Sequence, residues 1–324
     1  MDVTTALAKI GRGPAACEDL ECDEAHQLLS SVLQGKATPL QLGALMVALR
    51  WKGCSSDEMT GFARALTAVT RRLALPNSPR KLAIIPSYSA HHRQVNLMPA
   101  LALRLARAGV PVLVHGGLGD STPAPSFAVF EALGFEAARS ISEAQEALTM
   151  RKLALLPTQL LSPELDRLLA LRTELGARNL GHQLARLLDP APGHSLRLIC
   201  SSDTGMLENL AQVLAATCSE AILMRATDGE PYANPERRPR ISWFSGGEGR
   251  VLYEEDSFPA SPQQTPTPAD PVAVAAYIDD MLDGRKPTPV PLANQLAACF
   301  VASGYASDLD HAKAMVAVGY GRHS

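Results

Sequence analysis

Apolar residues recur at helical spacing through the first quarter of the chain. Ala25, Leu28, Leu29, Val32 and Leu33 fall on one face of a helix predicted over 24–34, with Asp23 as its cap and Gly35 as its stop. Thr38-Pro39 opens a second helix, whose Leu40, Leu42, Leu45, Met46 and Leu49 form a wide apolar face ending at Gly53. Ser56 is expected to cap a third, running through Met59, Phe62 and Leu66. Links this short predict antiparallel neighbours in a small bundle, with the apolar stripes as its core.

Leu75 to Arg80 reads as a hinge, and beyond it the period changes. Strands are predicted over 82–85, 110–114, 153–156, 196–200, 220–225 and 240–244. Helices are predicted over 97–108, near 125–133, and over 163–175 and 205–217. This alternation predicts an α/β fold with a mainly parallel sheet covered by helices on both faces. Ser245 to Gly249 reads as a hairpin turn into a strand at 250–253, and Pro259 to Pro271 as a surface strap. Helices at 273–282, 292–303 and 311–318 close the chain. The expected division is a helical domain over 1–75, joined by helices near 160–190, and an α/β domain over 81–324.

Composition narrows the class. A 324-residue chain with 46% hydrophobic and 19% charged residues is expected to be soluble and globular. No run approaches the roughly 18 apolar residues of a membrane span, and Met1 to Arg12 lacks a signal-peptide core, so a cytoplasmic protein is expected. The six cysteines are scattered; Cys17 and Cys22 find no second pair that would complete a zinc pattern. A net charge of −3 offers no global attraction for nucleic acid, so any basic surface must be local.

Four sets of residues carry candidate chemistry. His91, His92 and Arg93 follow the first strand near a helix N-terminus, a natural seat for phosphate; a solvated polar loop is the plainer alternative. Arg178, His182 and Arg186 are spaced by four and would share one helical face, with Arg172 nearby; a solvated basic face pairing with Asp166 and Glu174 is equally consistent. Arg237, Arg238 and Arg240 interrupt a proline-rich turn and fit a phosphate backbone, or else pair with Glu236, Glu248 and neighbouring acids. Tyr88 offers a stacking platform but is expected simply to pack. No Ser-His-Asp or Cys-His nucleophile arrangement is visible.

Several separated stretches resemble one family. Leu42 to Gly53 resembles the helical-domain signature of anthranilate and pyrimidine-nucleoside phosphoribosyltransferases. So do Leu175-Gly176-Ala177-Arg178-Asn179 with Leu187-Leu188-Asp189-Pro190, and Glu131-Ala132-Leu133-Gly134. The resemblance implies a small helical domain, a larger α/β domain and a homodimer formed through the helices. It also implies that Arg172 and Arg178 lie on the acceptor side of the cleft.

The family's diphosphate motifs are altered. Its GTGGD loop, in which glycines admit phosphate to backbone N–H groups, aligns with Pro86-Ser87-Tyr88-Ser89-Ala90. In its KHGNRxxSSxxGSAD motif, His115 and Gly116 survive, while the lysine has become Val114, the arginine Leu118 and the aspartate Ala128. Glu230-Pro231 stands where two adjacent carboxylates belong, leaving Asp228 and Glu230 as weak metal candidates. Ser87, Ser89, Asn96, His115 and Gly116 would line a remnant phosphoribosyl-diphosphate cleft.

The departures themselves resemble the YbiB group of this superfamily, glycosyl transferase family 3. They include Ile85 to Tyr88, Gln94 to Leu97, Ala226 to Glu230, Tyr232 to Pro235 and the opening Ile10 to Gly13. That resemblance implies a retained fold and dimer without catalysis. It implies sequence-independent nucleic-acid binding through a basic groove, for which His91, His92, Arg93, Arg172, Arg178, Arg186, Arg237 and Arg238 are the candidates. No cofactor is then expected. Magnesium enters only in the alternative of a phosphoribosyl or other glycosyl transferase with an altered donor or acceptor; a protein-interaction scaffold is a third possibility.

Overall fold

A computed structural model describes residues 1–13, 16–75, 78–88, 93–117, 126–258 and 265–319. Ser89, His91, His92 and Leu118 lie outside the described residues, as do positions 259–264 of the expected strap.

The chain opens with four helices, α1 (Val3–Ile10), α2 (Cys22–Leu33), α3 (Pro39–Lys52) and α4 (Ser56–Val69). The starts of α2, α3 and α4 follow reciprocal side-chain–backbone pairs. Thr38 Oγ1 accepts from the Gln41 N–H while Gln41 Oε1 accepts from the Thr38 N–H. The caps of α2 and α4 differ from expectation. Glu21, not Asp23, precedes α2, because Glu24 reaches back to the Glu21 N–H. Ser55, not Ser56, caps α4, because only Ser55 has a glutamate three residues on, Glu58, to return the bond. The helix α1 is an addition to the expected elements.

Gly61 sets the α2–α4 approach: a Cβ there would stand 2.1 Å from the Cys22 carbonyl oxygen. The expected apolar face of α3 is only partly buried. Leu45, Met46 and Leu49 are covered, whereas Leu40 is 85% and Trp51 79% exposed, with Val47 also open to solvent.

The sheet contains β1 (Leu82–Ser87), β2 (Val112–Gly116), β3 (Leu153–Pro157), β4 (Ser195–Ser201) and β5 (Ala221–Arg225). After the two-residue β6 (Arg237–Arg238) come β7 (Ile241–Ser245) and β8 (Glu248–Tyr253), while β9 (Asp256–Ser257) pairs with β6 apart from the sheet. The order is β3-β2-β1-β4-β5-β7-β8, parallel through β5 and antiparallel at β7 and β8. Pro86 is tolerated in central β1 because pairing with β4 ends at Ile84, before a donor at 86 is missed.

Helices α5 (Met98–Arg107), α6 (Ser126–Ala132), α7 (Ile141–Arg151), α8 (Thr158–Leu161), α9 (Pro163–Leu175) and α10 (Leu180–Leu184) follow the first three strands. Then come α11 (Thr204–Ala216), α12 (Pro271–Leu282), α13 (Val290–Ala302) and α14 (Leu309–Ala317). Helix α7 is a second addition: it buries only Ala144 and Leu148, too few positions for a readable stripe. One apolar core runs from α1–α4 through α9 and α10 to α11 and the sheet residues Ile199, Leu223 and Phe244. The bundle therefore packs against α10 and α11, and α11 in turn covers β4 and β5. Among the described residues no helix is long and apolar enough to cross a membrane.

The Gly61 contact yields a stability prediction. Gly61→Ala should destabilise the fold by about 1–3 kcal/mol, since the helix backbones must separate to admit the methyl group. Urea unfolding should show a lower midpoint at unchanged slope; an unaltered midpoint would refute this account of the α2–α4 contact.

Candidate functional site

Strand order reverses between β1 and β4, and the crevice beyond their C-terminal ends is where a sheet of this kind binds ligands. The side chains of this chain fill the β1 side. The Tyr88 hydroxyl lies 2.9 Å from His115 Nδ1 and 2.7 Å from Thr158 Oγ1, so one hydroxyl links the ends of β1, β2 and β3. The two rings meet edge-on at 5.5 Å. Burial pushes the Tyr88 phenol up and the His115 imidazole down to about 3, so both are neutral at pH 7. Tyr88 thus packs, as expected.

The other remnant-cleft candidates also point inward. Ser87 and Asn96 are buried, and Asn96 Nδ2 donates to Ser126 Oγ at 2.7 Å while its Oδ1 accepts from the Met98 N–H. At Gly116 a Cβ would stand 2.2 Å from the Ser87 carbonyl oxygen, so the paired ends of β1 and β2 admit only glycine there.

Asp228 and Glu230 are engaged in the same closure. Asp228, at a left-handed φ of 50°, accepts the N–H groups of Arg93 and Gln94 at 2.7 and 3.0 Å. Successive N–H groups converging on one oxygen form the geometry that also receives phosphate, and here a carboxylate of the chain itself takes that place. Glu230 is fully buried, its Oε2 3.5 Å from Ser126 Oγ. Among the described residues no group of three or more His, Cys, Asp or Glu is arranged to hold a metal. Asp228 is thus engaged by backbone N–H groups of the chain itself, and Glu230 lies buried beside Ser126.

The β4 side stays open. A cavity of about 310 Å³ lies between α3, the α9–α10 connection and the residues after β4, and Arg50, Arg178, His182 and Arg186 line it with Ser201 and Asp203. Leu49, Leu180 and Met206 supply apolar wall. The expected single helical face over 178–186 is not formed. Gly176 ends α9 in the left-handed region and Asn179 caps α10, its Oδ1 accepting from the Gly181 N–H at 2.8 Å. The break still delivers Arg178, His182 and Arg186 to one cavity.

Each of three guanidinium groups donates to a backbone carbonyl. Arg50 Nη1 donates to the Arg178 carbonyl at 2.6 Å, Arg178 Nη2 to the Tyr88 carbonyl at 3.1 Å, and Arg186 Nη1 to the Cys200 carbonyl at 2.8 Å. Neither Arg50 nor Arg186 pairs with a carboxylate among the described residues, so their charge is oriented without being cancelled. Burial, then Arg178 and Arg172, push His182 down to about 4, so it faces the cavity as a neutral imidazole. Asp203 caps α11 through the Met206 N–H at 2.7 Å and contributes one negative charge to the lining beside the three arginines.

Sequence reasoning missed Arg50; its one signal was a cation closing an otherwise apolar helix. Arg172 lies in the last turn of α9, and Arg93 is exposed beside Asp228. Arg237 and Arg238 do not line the cavity. They pair with Glu255 and Asp256 across β6 and β9, and Arg238 also stacks on Tyr253 and Phe258. Arg240 lies 3.6 Å from Glu254. These arginines take the ion-pairing alternative, with the neighbouring acids Glu254, Glu255 and Asp256 as partners.

Known proteins share this architecture. The helical bundle domain of the glycosyl transferase family matches residues 4–69. The uncharacterized protein YbiB of Escherichia coli (strain K12) is 36% identical over 98% of this chain and 99% of its own length. An anthranilate phosphoribosyltransferase of Rhodopseudomonas palustris (strain BisA53) is 26% identical over 97% of this chain and 92% of its own. Among solved structures, the anthranilate phosphoribosyltransferase from Thermus thermophilus shares the fold with a TM-score of 0.79 at 23% identity, covering 98% of this chain and 94% of that one. The fold is that of a phosphoribosyltransferase with an N-terminal helical bundle. The chain belongs to the anthranilate phosphoribosyltransferase-like glycosyl transferase family 3, and its likeness to YbiB runs nearly end to end.

The two buried imidazoles make stability depend on pH. Both are depressed in the folded state, to about 3 and about 4, below the ordinary value of 6.5. The unfolded chain therefore takes up protons first as pH falls, and stability present above 6.5 is lost on acidification. Between about pH 7 and about pH 5 the unfolding free energy should fall by about 2–4 kcal/mol, and His182→Gln should roughly halve the slope. Urea titrations at these pH values measure this; a flat profile would contradict it.

Proposed function

We propose that this protein binds nucleic acid without regard to sequence, as a cytoplasmic homodimer, using the arginine-lined cleft in place of phosphoribosyl transfer. The observation that carries the proposal is the contrast between the two sides of the crevice. Where a diphosphate would sit, Tyr88 and Asp228 occupy the room and the N–H donors. Beside it, Arg50, Arg178 and Arg186 are held by carbonyl oxygens around an open cavity. Guanidinium groups fixed in direction suit phosphate oxygens, and phosphate contacts carry no sequence information. Arg93 and Arg172 would extend the contact; His91 and His92, outside the described residues, remain candidates from the sequence alone. Arg237 and Arg238 are left out of this surface, because each already has its carboxylate.

The dimer rests on α3. Exposed Leu40, Val47 and Trp51 adjoin an apolar groove of about 560 Å³ between α1 and α3, lined by Leu7, Ile10 and Ala44. A second copy docked through this helix would cover a surface that is costly to leave in water. Two clefts in one particle would also raise apparent affinity without new contacts.

Fluorescence anisotropy of labelled single- and double-stranded DNA and RNA tests the proposal, from low to physiological salt, with phosphoribosyl diphosphate plus magnesium as competitor. Binding should fall steeply with salt, ignore sequence and survive the competitor. Arg50→Ala and Arg186→Ala should each weaken it about tenfold and lower the salt slope by about one. Absence of binding at low salt, or magnesium-dependent turnover of the diphosphate, would overturn it. Trp51→Glu should leave a folded monomer in sedimentation; an unchanged oligomeric state would remove α3 from the interface.

A further inference from the structure

We propose that the opposite pole of the sheet carries a second anion site, which takes a phosphate group independently of the cleft. Because β1, β2 and β4 are parallel, their N-terminal ends gather at one edge. There an open cavity of about 620 Å³ is lined by Arg72, Arg80, Lys81 and His194, with no acidic residue among the described residues of its lining. In a chain of net charge −3, such a concentration of basic groups makes a locally positive field.

The groups differ in a way that suits a binding site. Arg80 is pre-set: its Nη1 donates to the carbonyls of Ala108 and Gly109 at 3.3 and 2.9 Å, and its guanidinium lies 4.2 Å over the Tyr305 ring. None of these partners cancels its charge. Lys81 is balanced by Glu220 at 2.9 Å. The side chains of Arg72 and His194 are exposed and make no hydrogen bond or ion pair with any described residue. Prolines form much of the remaining wall, so ordering costs little when a ligand enters. One fixed guanidinium, one adjustable guanidinium and an imidazole match the several oxygens of a phosphate. That chemistry is shared by small free phosphates and by a phosphodiester backbone.

The probe is sodium tripolyphosphate at low salt, followed by calorimetry and by amide hydrogen exchange over 71–81 and 190–195. Exchange there should slow in the wild type and equally in the cleft variant Arg50→Ala/Arg186→Ala. Arg72→Ala/His194→Ala, which alters only exposed side chains, should lose about tenfold in affinity, as removal of charged hydrogen bonds predicts. No protection of these segments in the wild type, or unchanged affinity in Arg72→Ala/His194→Ala, would overturn the site. A short labelled single strand separates the sources: weaker binding by the same double variant assigns the site to a phosphodiester. Unchanged strand binding beside lost tripolyphosphate binding assigns it to free phosphates. The cleft variant distinguishes failure here from failure of the nucleic-acid proposal, since it removes only the latter's contacts.

Discussion

The hydroxyl of Tyr88 is the contact on which the ligand edge of this sheet depends. It donates to one of His115 Nδ1 and Thr158 Oγ1 and accepts from the other, closing the ends of three parallel strands around a neutral polar cluster. Buried hydrogen bonds of this kind contribute little individually, but removing one partner leaves the others unpaired at a cost of about 1–3 kcal/mol. His115 has one nitrogen, Nε2, already without a partner among the described residues. Both titratable members of the cluster must therefore stay neutral for the edge to hold.

That closure shifts the chemistry across the crevice. A glycine loop would present N–H donors to phosphate; here the N–H groups of Arg93 and Gln94 answer to Asp228 instead. An approaching diphosphate would meet a carboxylate at the donors it needs. The Tyr88 backbone meanwhile serves the other side, since its carbonyl holds Arg178 at the cleft. One residue thus ties the ends of three strands through its hydroxyl and holds Arg178 through its carbonyl.

The positive character of the cleft comes from who neutralises which arginine. Arg237, Arg238 and Arg240 face carboxylates, and most of their field is spent locally. Arg50 and Arg186 face carbonyls, whose partial charge fixes direction but leaves the unit charge in place. A chain of net negative charge can therefore still present a small basic surface, held by geometry instead of by composition.

Periodicity and spacing alone determined the strands of the main sheet, most helices and the order of helical bundle before α/β sheet, because burial of a face imposes a repeat on neighbouring residues; the two-residue β6 and β9 carry no such repeat. The altered loop was also legible, since a proline and a tyrosine in place of glycines change what backbone can approach. Cap positions were legible only to within a few residues, because competing Ser and acidic residues are resolved by which glutamate returns the bond. The site itself required the tertiary structure. Arg178, His182 and Arg186 meet across a broken helix, and Arg50 arrives from a helix more than a hundred residues away in sequence. Whether an arginine is cancelled or kept depends on partners brought near by folding, and no local pattern records them.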